Sequence, residues 1–177
     1  MKWSGEFVFC PRCGTRLGRR MVDGRDRAVC PACSYVHFRN PAVGAAAIVR
    51  DEHGRVLLVR RALGRLKGLW SVPAGFVEYG EDVRDAAARE LFEETGLEAR
   101  IGSVAFVASD FHDPAKPTVG VWFHATVTGG HLQAGDDASE VRYFPLDHLP
   151  PLAFEMDRGL FANLAKRTDR LRDPDRS

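Results

Sequence analysis

The chain has 177 residues, 45% hydrophobic and 28% charged, with 25 Lys and Arg against 24 Asp and Glu and a formal net charge of +1 at pH 7. This is ordinary globular composition, sufficient for one domain, or one domain plus a small module, around a substantial core. Near-balanced charge excludes a general attraction to nucleic acid or anionic membrane. No apolar run approaches the length of a membrane span, and the opening residues MKWSGEFVFCPRCG carry no export leader, so no membrane association and a cytoplasmic location are expected.

All four cysteines precede residue 34, as Cys10-Pro-Arg-Cys13 and Cys30-Pro-Ala-Cys33 with 16 residues between the pairs. This is the spacing of a four-cysteine zinc site. Two disulfides are the competing reading, and the lack of an export leader argues against them. A redox role for either pair is disfavoured because both occur together and neither lies in a βαβ pattern. Four thiolates saturate a tetrahedral Zn²⁺ and leave no open position for catalysis, so the zinc is expected to be structural. A module of this size, residues 1–39, is too small to fold on apolar burial alone and depends on its metal. It carries eight Lys and Arg against three acids, an excess that the thiolate-zinc centre reduces. Phe7, Phe9, Tyr35 and Phe38 fit packing of a small sheet at least as well as base stacking. Nucleic acid is therefore not expected as a partner.

Residues 35–41 read as a bridge to a second domain, residues 40–177, with Asn40 held extended by the following proline. Residues 42–50 form a small-residue run suited to a buried strand. Residues 51–54 look like a hairpin turn, and residues 56–59 return as a strand. Arg60, Arg61, Arg65 and Lys67 lie in a basic stretch that a diphosphate would attract, although most of them suit a solvated loop. Trp70 reads as core rather than as a stacking platform.

Residues 75–97, GFVEYGEDVRDAAARELFEETGL, gather seven acidic residues and two arginines. Asp82 has the character of an N-cap, an alanine-rich middle follows, and Gly96 stands where a left-handed residue stops a helix. At about 100° per residue, Glu90, Glu93 and Glu94 share one face, while Val83, Ala87 and Leu91 form a separate stripe for packing on a sheet. Like charges at these spacings destabilise a bare helix, so the trio calls for cations. Clustered hard oxygen ligands suit Mg²⁺ or Mn²⁺.

Residues 99–109 and 119–128 are strand-like, joined by a proline-containing loop, residues 110–117, placed to contact substrate; its His112 is set aside as a surface residue. A second acidic loop, residues 136–140, precedes a strand at residues 141–144, and residues 155–171 form an amphipathic C-terminal helix. This order suits an α/β fold in which a mixed sheet lies between helices.

Gly75, Glu81, Arg89-Glu90-Leu91, Glu93-Glu94 and Gly96-Leu97 stand at the spacing of the complete Nudix box, and the chain resembles the Nudix hydrolases on every position of that motif. The resemblance implies a Nudix α/β/α sandwich over about residues 41–165 behind a zinc ribbon. It further implies hydrolysis of a nucleoside diphosphate linked to another moiety, a small-molecule nucleotide substrate. By the family pattern, Glu90, Glu93 and Glu94 hold Mg²⁺ (or Mn²⁺), with the Gly75 carbonyl as a further ligand. Arg89 pairs with Glu81 and orients the catalytic carboxylates. The general base varies within the family, and both Glu94 and Glu140 are candidates. Four cysteines ahead of an aromatic-Arg-Asn-Pro bridge are similar to two groups, the NADH pyrophosphatases and the zinc-ribbon hydrolases of ADP-ribose or FAD. The first group carries an SQPWPFPxS array after the box, which this chain lacks at residues 104–114. ADP-ribose or FAD, cleaved to release AMP, is therefore the expected substrate, with NADH or NAD-capped RNA as the alternative. A non-catalytic Nudix regulator or a nucleic-acid-binding ribbon protein are the readings from other classes. The sequence allows a homodimer.

Overall fold

The computed structural model describes residues 7–110 and 116–172, with side chains described as far as residue 164. Two compact units divide it: one comprises the described residues up to Pro41 together with residues 116–117, and the other is built from Ala42–Asp110 and from Thr118 onward. Most of the expected substrate loop, His112 included, lies outside the described residues.

In the first unit, β1 (Gly18–Val22) and β2 (Arg25–Val29) form an antiparallel hairpin. Its two-residue turn is Asp23-Gly24, both with positive φ (51° and 72°), the backbone that matches the right-handed twist of paired strands. A third strand, β3 (Val36–His37), pairs with β2 through Ala28↔His37 and Val29↔Val36, so the start of the expected bridge is part of this sheet. Cys10, Cys30, Ala28 and Val29 fill the small interior. Phe7, Phe9 and Phe38 stay 45–58% exposed; Phe7 packs against His37 of β3 and Phe38 under the Arg27 guanidinium of β2, so these two rings lie on the sheet rather than in its interior. A module whose centre is taken up by cysteines has no interior left for three large rings.

The second unit contains β4 (Ala42–Val49), β5 (Val56–Arg61), β6 (Trp70–Ser71), β7 (Ala74–Phe76), α1 (Val83–Thr95), β8 (Leu97–Asp110), β9 (Thr118–Gly130), β10 (Ala138–Phe144) and α2 (Glu155–Arg172). One sheet has the order β7-β4-β9-β8, with β4 and β9 parallel and the other pairs antiparallel; the second has the order β10-β5-β6. The period of two along a strand sends alternate residues of β4 to opposite faces. Ala45, Ala47 and Val49 pack in the clusters that hold Ala86, Ala87 and Leu91 of α1, whereas Ala46 and Ile48 pack in the cluster that holds Leu160, Phe161 and Leu164 of α2. The expected layering of a mixed sheet between helices follows from this alternation. Trp70 is buried in the α2-side cluster, edge-on to Phe144 with ring centroids 4.8 Å apart.

Residues 51–54 make a tight turn, with the Asp51 carboxylate accepting from the His53 and Arg55 N–H groups, but the flanking strands do not form a hairpin. Both edges of β4 are occupied by β7 and β9, so β5 joins the other sheet and only Arg50 and Val56 bridge.

Helix α1 begins and ends where its local chemistry places the boundaries. Asp82 is extended (φ −71°, ψ 139°), and its side chain accepts from the Arg84 N–H. Gly96 is left-handed at φ 69°, and its N–H closes on the Phe92 carbonyl at 2.7 Å. A Cβ at Gly96 would also sit 2.5 Å from the His131 carbonyl, so the position excludes a side chain twice over. The expected stripe is present: Ala87 and Leu91 are fully buried and Val83 packs beside them, with Ala86 and Thr95 added. Among the described residues no helix is long and apolar enough to cross a membrane.

Candidate active site

The α1 face that borders and partly overlaps the packing stripe carries Glu90, Glu93 and Glu94 in three different environments. The Glu93 side chain is 43% exposed, that of Glu90 is 14% exposed, and Glu94 as a residue is 4% exposed. The last follows from register: Glu94 lies on the sheet side of the acidic face, where the Ala74 N–H at the start of β7 donates to its Oε2 at 3.0 Å.

Arg89 organises the remaining carboxylates. It grips Glu81 with two bonds, Nε to Oε1 at 2.8 Å and Nη2 to Oε2 at 3.0 Å. Its Nη1 reaches Glu90 at 2.7 Å and Glu93 at 3.0 Å, and Nη2 also donates to the Phe76 carbonyl. Glu81 accepts additionally from the Glu78 N–H. The guanidinium, followed by that N–H, holds the Glu81 carboxyl down at about 2. One cation thus links the loop before the helix, β7 and two of the three face carboxylates.

Burial pushes Glu94 in the opposite direction, up to about 9, with repulsion from Asp137 and Glu90 adding to it and the Ala74 N–H and Arg61 opposing it. Glu90 is also raised, first by burial and then by Glu93 and Asp136, against the pull of Arg89. Asp136 and Asp137 therefore act electrostatically on the acidic helix. The sequence places them in an acidic loop but assigns them no role. The cause is a backbone clasp: Gln133 and Gly135 N–H groups donate to the Thr95 and Glu94 carbonyls at the end of α1, which brings the next two residues to the site.

Gly75 sits in β7, paired with Ala45 of β4. A Cβ built there would run into the Glu90 carboxylate, so the missing side chain is the space that carboxylate occupies. A glycine cradle, hard carboxylate oxygens and residual negative charge fit a hard divalent cation.

Glu140 lies on β10 directly across from Arg60. Its carboxylate lies 3.6 Å from the Arg60 guanidinium and is in contact with Arg142, so two arginines hold it. Arg60 also donates to the Gly68 carbonyl. Arg61 lies over the Phe154 ring.

A further buried carboxylate escapes sequence reading. Asp157, 2% exposed in α2, accepts from the Val72 N–H at 3.3 Å and from Trp122 Nε1 at 3.2 Å. Burial raises it to about 7 against those two donors. It tethers α2 to the segment that enters β7, two residues before the Ala74 N–H that holds Glu94.

In the first unit the four cysteine Sγ atoms lie within 4.8 Å of one another, with 3.5 Å between Cys13 and Cys30 and 3.6 Å for Cys10–Cys33 and Cys13–Cys33. Disulfide sulfurs approach to about 2.0 Å. Tetrahedral Zn–S bonds of about 2.3 Å imply S–S edges near 3.8 Å. The two Cys-x-x-Cys turns are built alike: the Gly14 N–H donates to the Cys10 carbonyl and the Ser34 N–H to the Cys30 carbonyl, and Gly14 and Ser34 both have positive φ. The cluster fits a structural Zn²⁺.

The chain belongs to the Nudix hydrolase family: the NUDIX domain model matches residues 40–164, and the Nudix N-terminal zinc-ribbon model matches residues 8–39. It is 35% identical over 156 residues to an ADP-ribose pyrophosphatase of Methanocaldococcus jannaschii, covering 88% of this chain and 89% of that one. It is 32% identical over 151 residues to the NAD-capped RNA hydrolase NudC of Stutzerimonas stutzeri, and there it spans about half (52%) of the relative's length. Among solved structures it is similar to a NUDIX hydrolase from Nitrosomonas europaea, with a TM-score of 0.77, 30% identity, and coverage of 93% of this chain and 92% of that one.

Proposed function

We propose that this Nudix hydrolase cleaves the pyrophosphate bond of ADP-ribose or FAD, releasing AMP, with Mg²⁺ or Mn²⁺ as the working cation. The observation that carries the substrate is the near end-to-end likeness to an ADP-ribose pyrophosphatase, ribbon included. The bridge residues His37, Phe38, Arg39, Asn40 and Pro41, and Ser139-Glu140 ahead of Tyr143-Phe-Pro145, support the same assignment by resemblance.

Glu90, Glu93 and Glu94 would hold the cation, with the Gly75 carbonyl as a further ligand. When bound, it would neutralise the diphosphate oxygens and act as a Lewis acid at phosphorus. Arg89 sets the orientation of Glu90 and Glu93 while Glu81 anchors Arg89. Glu94 or Glu140 takes the proton of the attacking water. Glu94 lies at the acidic face; burial raises its carboxyl, and a cation held at that face would lower it. Glu140 is engaged by Arg60 and Arg142 on β5 and β10, so its carboxylate is already committed to two guanidinium partners as placed. The preference is for Glu94.

A panel of nucleotide diphosphates tests this reading. ADP-ribose should yield AMP and ribose 5-phosphate, or FAD yield AMP and FMN, with kcat/KM at least about tenfold above NADH, a difference of about 1.4 kcal/mol. The likeness to NudC keeps NADH or NAD-capped RNA as the second reading, and NADH as best substrate would promote it.

A further inference from the structure

We propose that Arg61 binds the diphosphate of the substrate, its guanidinium supplying the counter-charge to the phosphate oxygens beside the acidic face of α1. Arg61 is the last residue of β5 and pairs with Ala138 of β10. The clasp at the end of α1 brings this point to the site: the Gly135 N–H donates to the Glu94 carbonyl, and two residues on the Asp137 carbonyl accepts from the Ala62 N–H at 2.7 Å. The Arg61 guanidinium is held loosely there. Its Nη2 lies 3.9 Å from the Asp137 carboxylate, an ion pair longer than a hydrogen bond. The group lies over the Phe154 ring, 5.4 Å from the centroid, and its Nε is buried with no hydrogen-bond partner among the described residues. Guanidinium N–H groups that give up water without gaining an acceptor are costly, and such a group in a native fold calls for an anion or water. The charge also draws on Glu94, opposing the burial that raises that carboxyl.

The other cations nearby are placed differently. Arg60, one residue earlier in β5, donates to the Gly68 carbonyl and faces Glu140. Arg65 and Lys67 are exposed in the loop beyond β5. Arg89 is committed to Glu81, Glu90 and Glu93. One divalent cation does not neutralise three carboxylates, so a diphosphate approaching this face requires a further positive group. A planar fork backed by an aromatic ring and only loosely paired can form two parallel bonds to phosphate oxygens. This role rests on the proposed function for the diphosphate alone and is the same whichever group is attached to it.

The test is calorimetric titration of the full chain with ADP at saturating Mn²⁺, which requires no hydrolysis, beside titration with Mn²⁺ alone. Arg61→Gln should weaken ADP binding at least about tenfold. It should bind Mn²⁺ alone as tightly as the wild type or more tightly, because a positive charge has left the acidic face. A loosened fold does not weaken one ligand while sparing or strengthening the other. Arg61→Lys keeps the charge without the fork and should weaken ADP binding by about threefold or more, which decides the matter if the glutamine variant fails to fold. Wild-type ADP affinity in the folded variants, an equal loss of Mn²⁺ affinity, or no saturable ADP binding by the wild type would overturn the role. In hydrolysis, Arg61→Gln should lower kcat/KM by a similar factor for each of ADP-ribose, FAD and NADH that is cleaved, and a loss confined to one of them would place Arg61 against the attached group instead. A chain that binds ADP through Arg61 and cleaves none of the three would contradict the proposed function and leave this role standing.

Discussion

Arg89 closes a two-bond fork on Glu81, at 2.8 Å and 3.0 Å, and with its third nitrogen reaches Glu90 and Glu93. The geometry requires a planar group with several donors in fixed directions, which an ammonium does not provide. Arg89→Lys preserves charge and should still lower kcat by at least about tenfold, with helix content unchanged by circular dichroism. Unchanged kcat would show that charge near the carboxylates is sufficient and that the fork has no part in orienting them.

Gly75→Ala tests the space that Glu90 occupies. Backbone conformation does not forbid alanine there, since Gly75 is not among the positive-φ glycines. The added methyl instead meets the Glu90 carboxylate. Metal affinity, read by Mn²⁺ titration, should drop by at least about tenfold in a folded protein. Wild-type affinity would mean that Glu90 moves aside freely and is no fixed ligand.

Asp157 offers a pH test. Its carboxyl is held up to about 7 in the folded chain against an ordinary value of 3.8. The folded state therefore keeps a proton that the unfolded state releases, so this group's contribution favours folding at low pH and declines as pH rises from about 4 to about 7. Urea unfolding of wild type and Asp157→Asn at about pH 5 and pH 8 should show a larger loss in the wild type. Parallel losses would place the Asp157 carboxyl in a less desolvated state than its burial implies.

The zinc ribbon gives an independent prediction. Cys13→Ser or Cys30→Ser should release the zinc, measured as one equivalent per wild-type chain by elemental analysis, and loosen the first unit while metal-dependent hydrolysis persists. Loss of catalysis with substrate still bound to a folded Nudix domain would make zinc part of the reaction.

What the sequence makes legible depends on how local the physics is. Both ends of α1 can be read because Asp82 and Gly96 act within a few residues of themselves, and the glutamate face can be read because helical period is fixed. Trp70 falls in the core for the same reason that most buried indoles do. Contacts set by tertiary packing cannot be read this way. Asp157 meets Val72 and Trp122 across 85 and 35 residues, and nothing in its neighbours along the chain announces a buried carboxylate. The hairpin expected at residues 51–54 fails because β4 already has two partners, a fact about strand order rather than about the turn. Asp136 and Asp137 reach the site only because Gly135 clasps the end of α1. Arg89 is assigned to Glu81 by motif resemblance, but its reach to Glu90 and Glu93 depends on side-chain geometry that spacing does not encode.

Glu140→Gln separates the two candidate bases. With Glu140 already held by Arg60 and Arg142, its loss should lower kcat by less than about tenfold while the cation still binds. A hundredfold loss with intact metal affinity would transfer the role from Glu94.

The most direct measurement is single-turnover hydrolysis of ADP-ribose with saturating Mg²⁺ by Glu93→Gln and Glu94→Gln, each checked for folding by thermal unfolding. Each substitution keeps size and removes one charged oxygen from the proposed cation site, so the rate should fall at least about a hundredfold in both. Wild-type rates in both folded variants would contradict the assignment of the α1 acidic face as the catalytic centre.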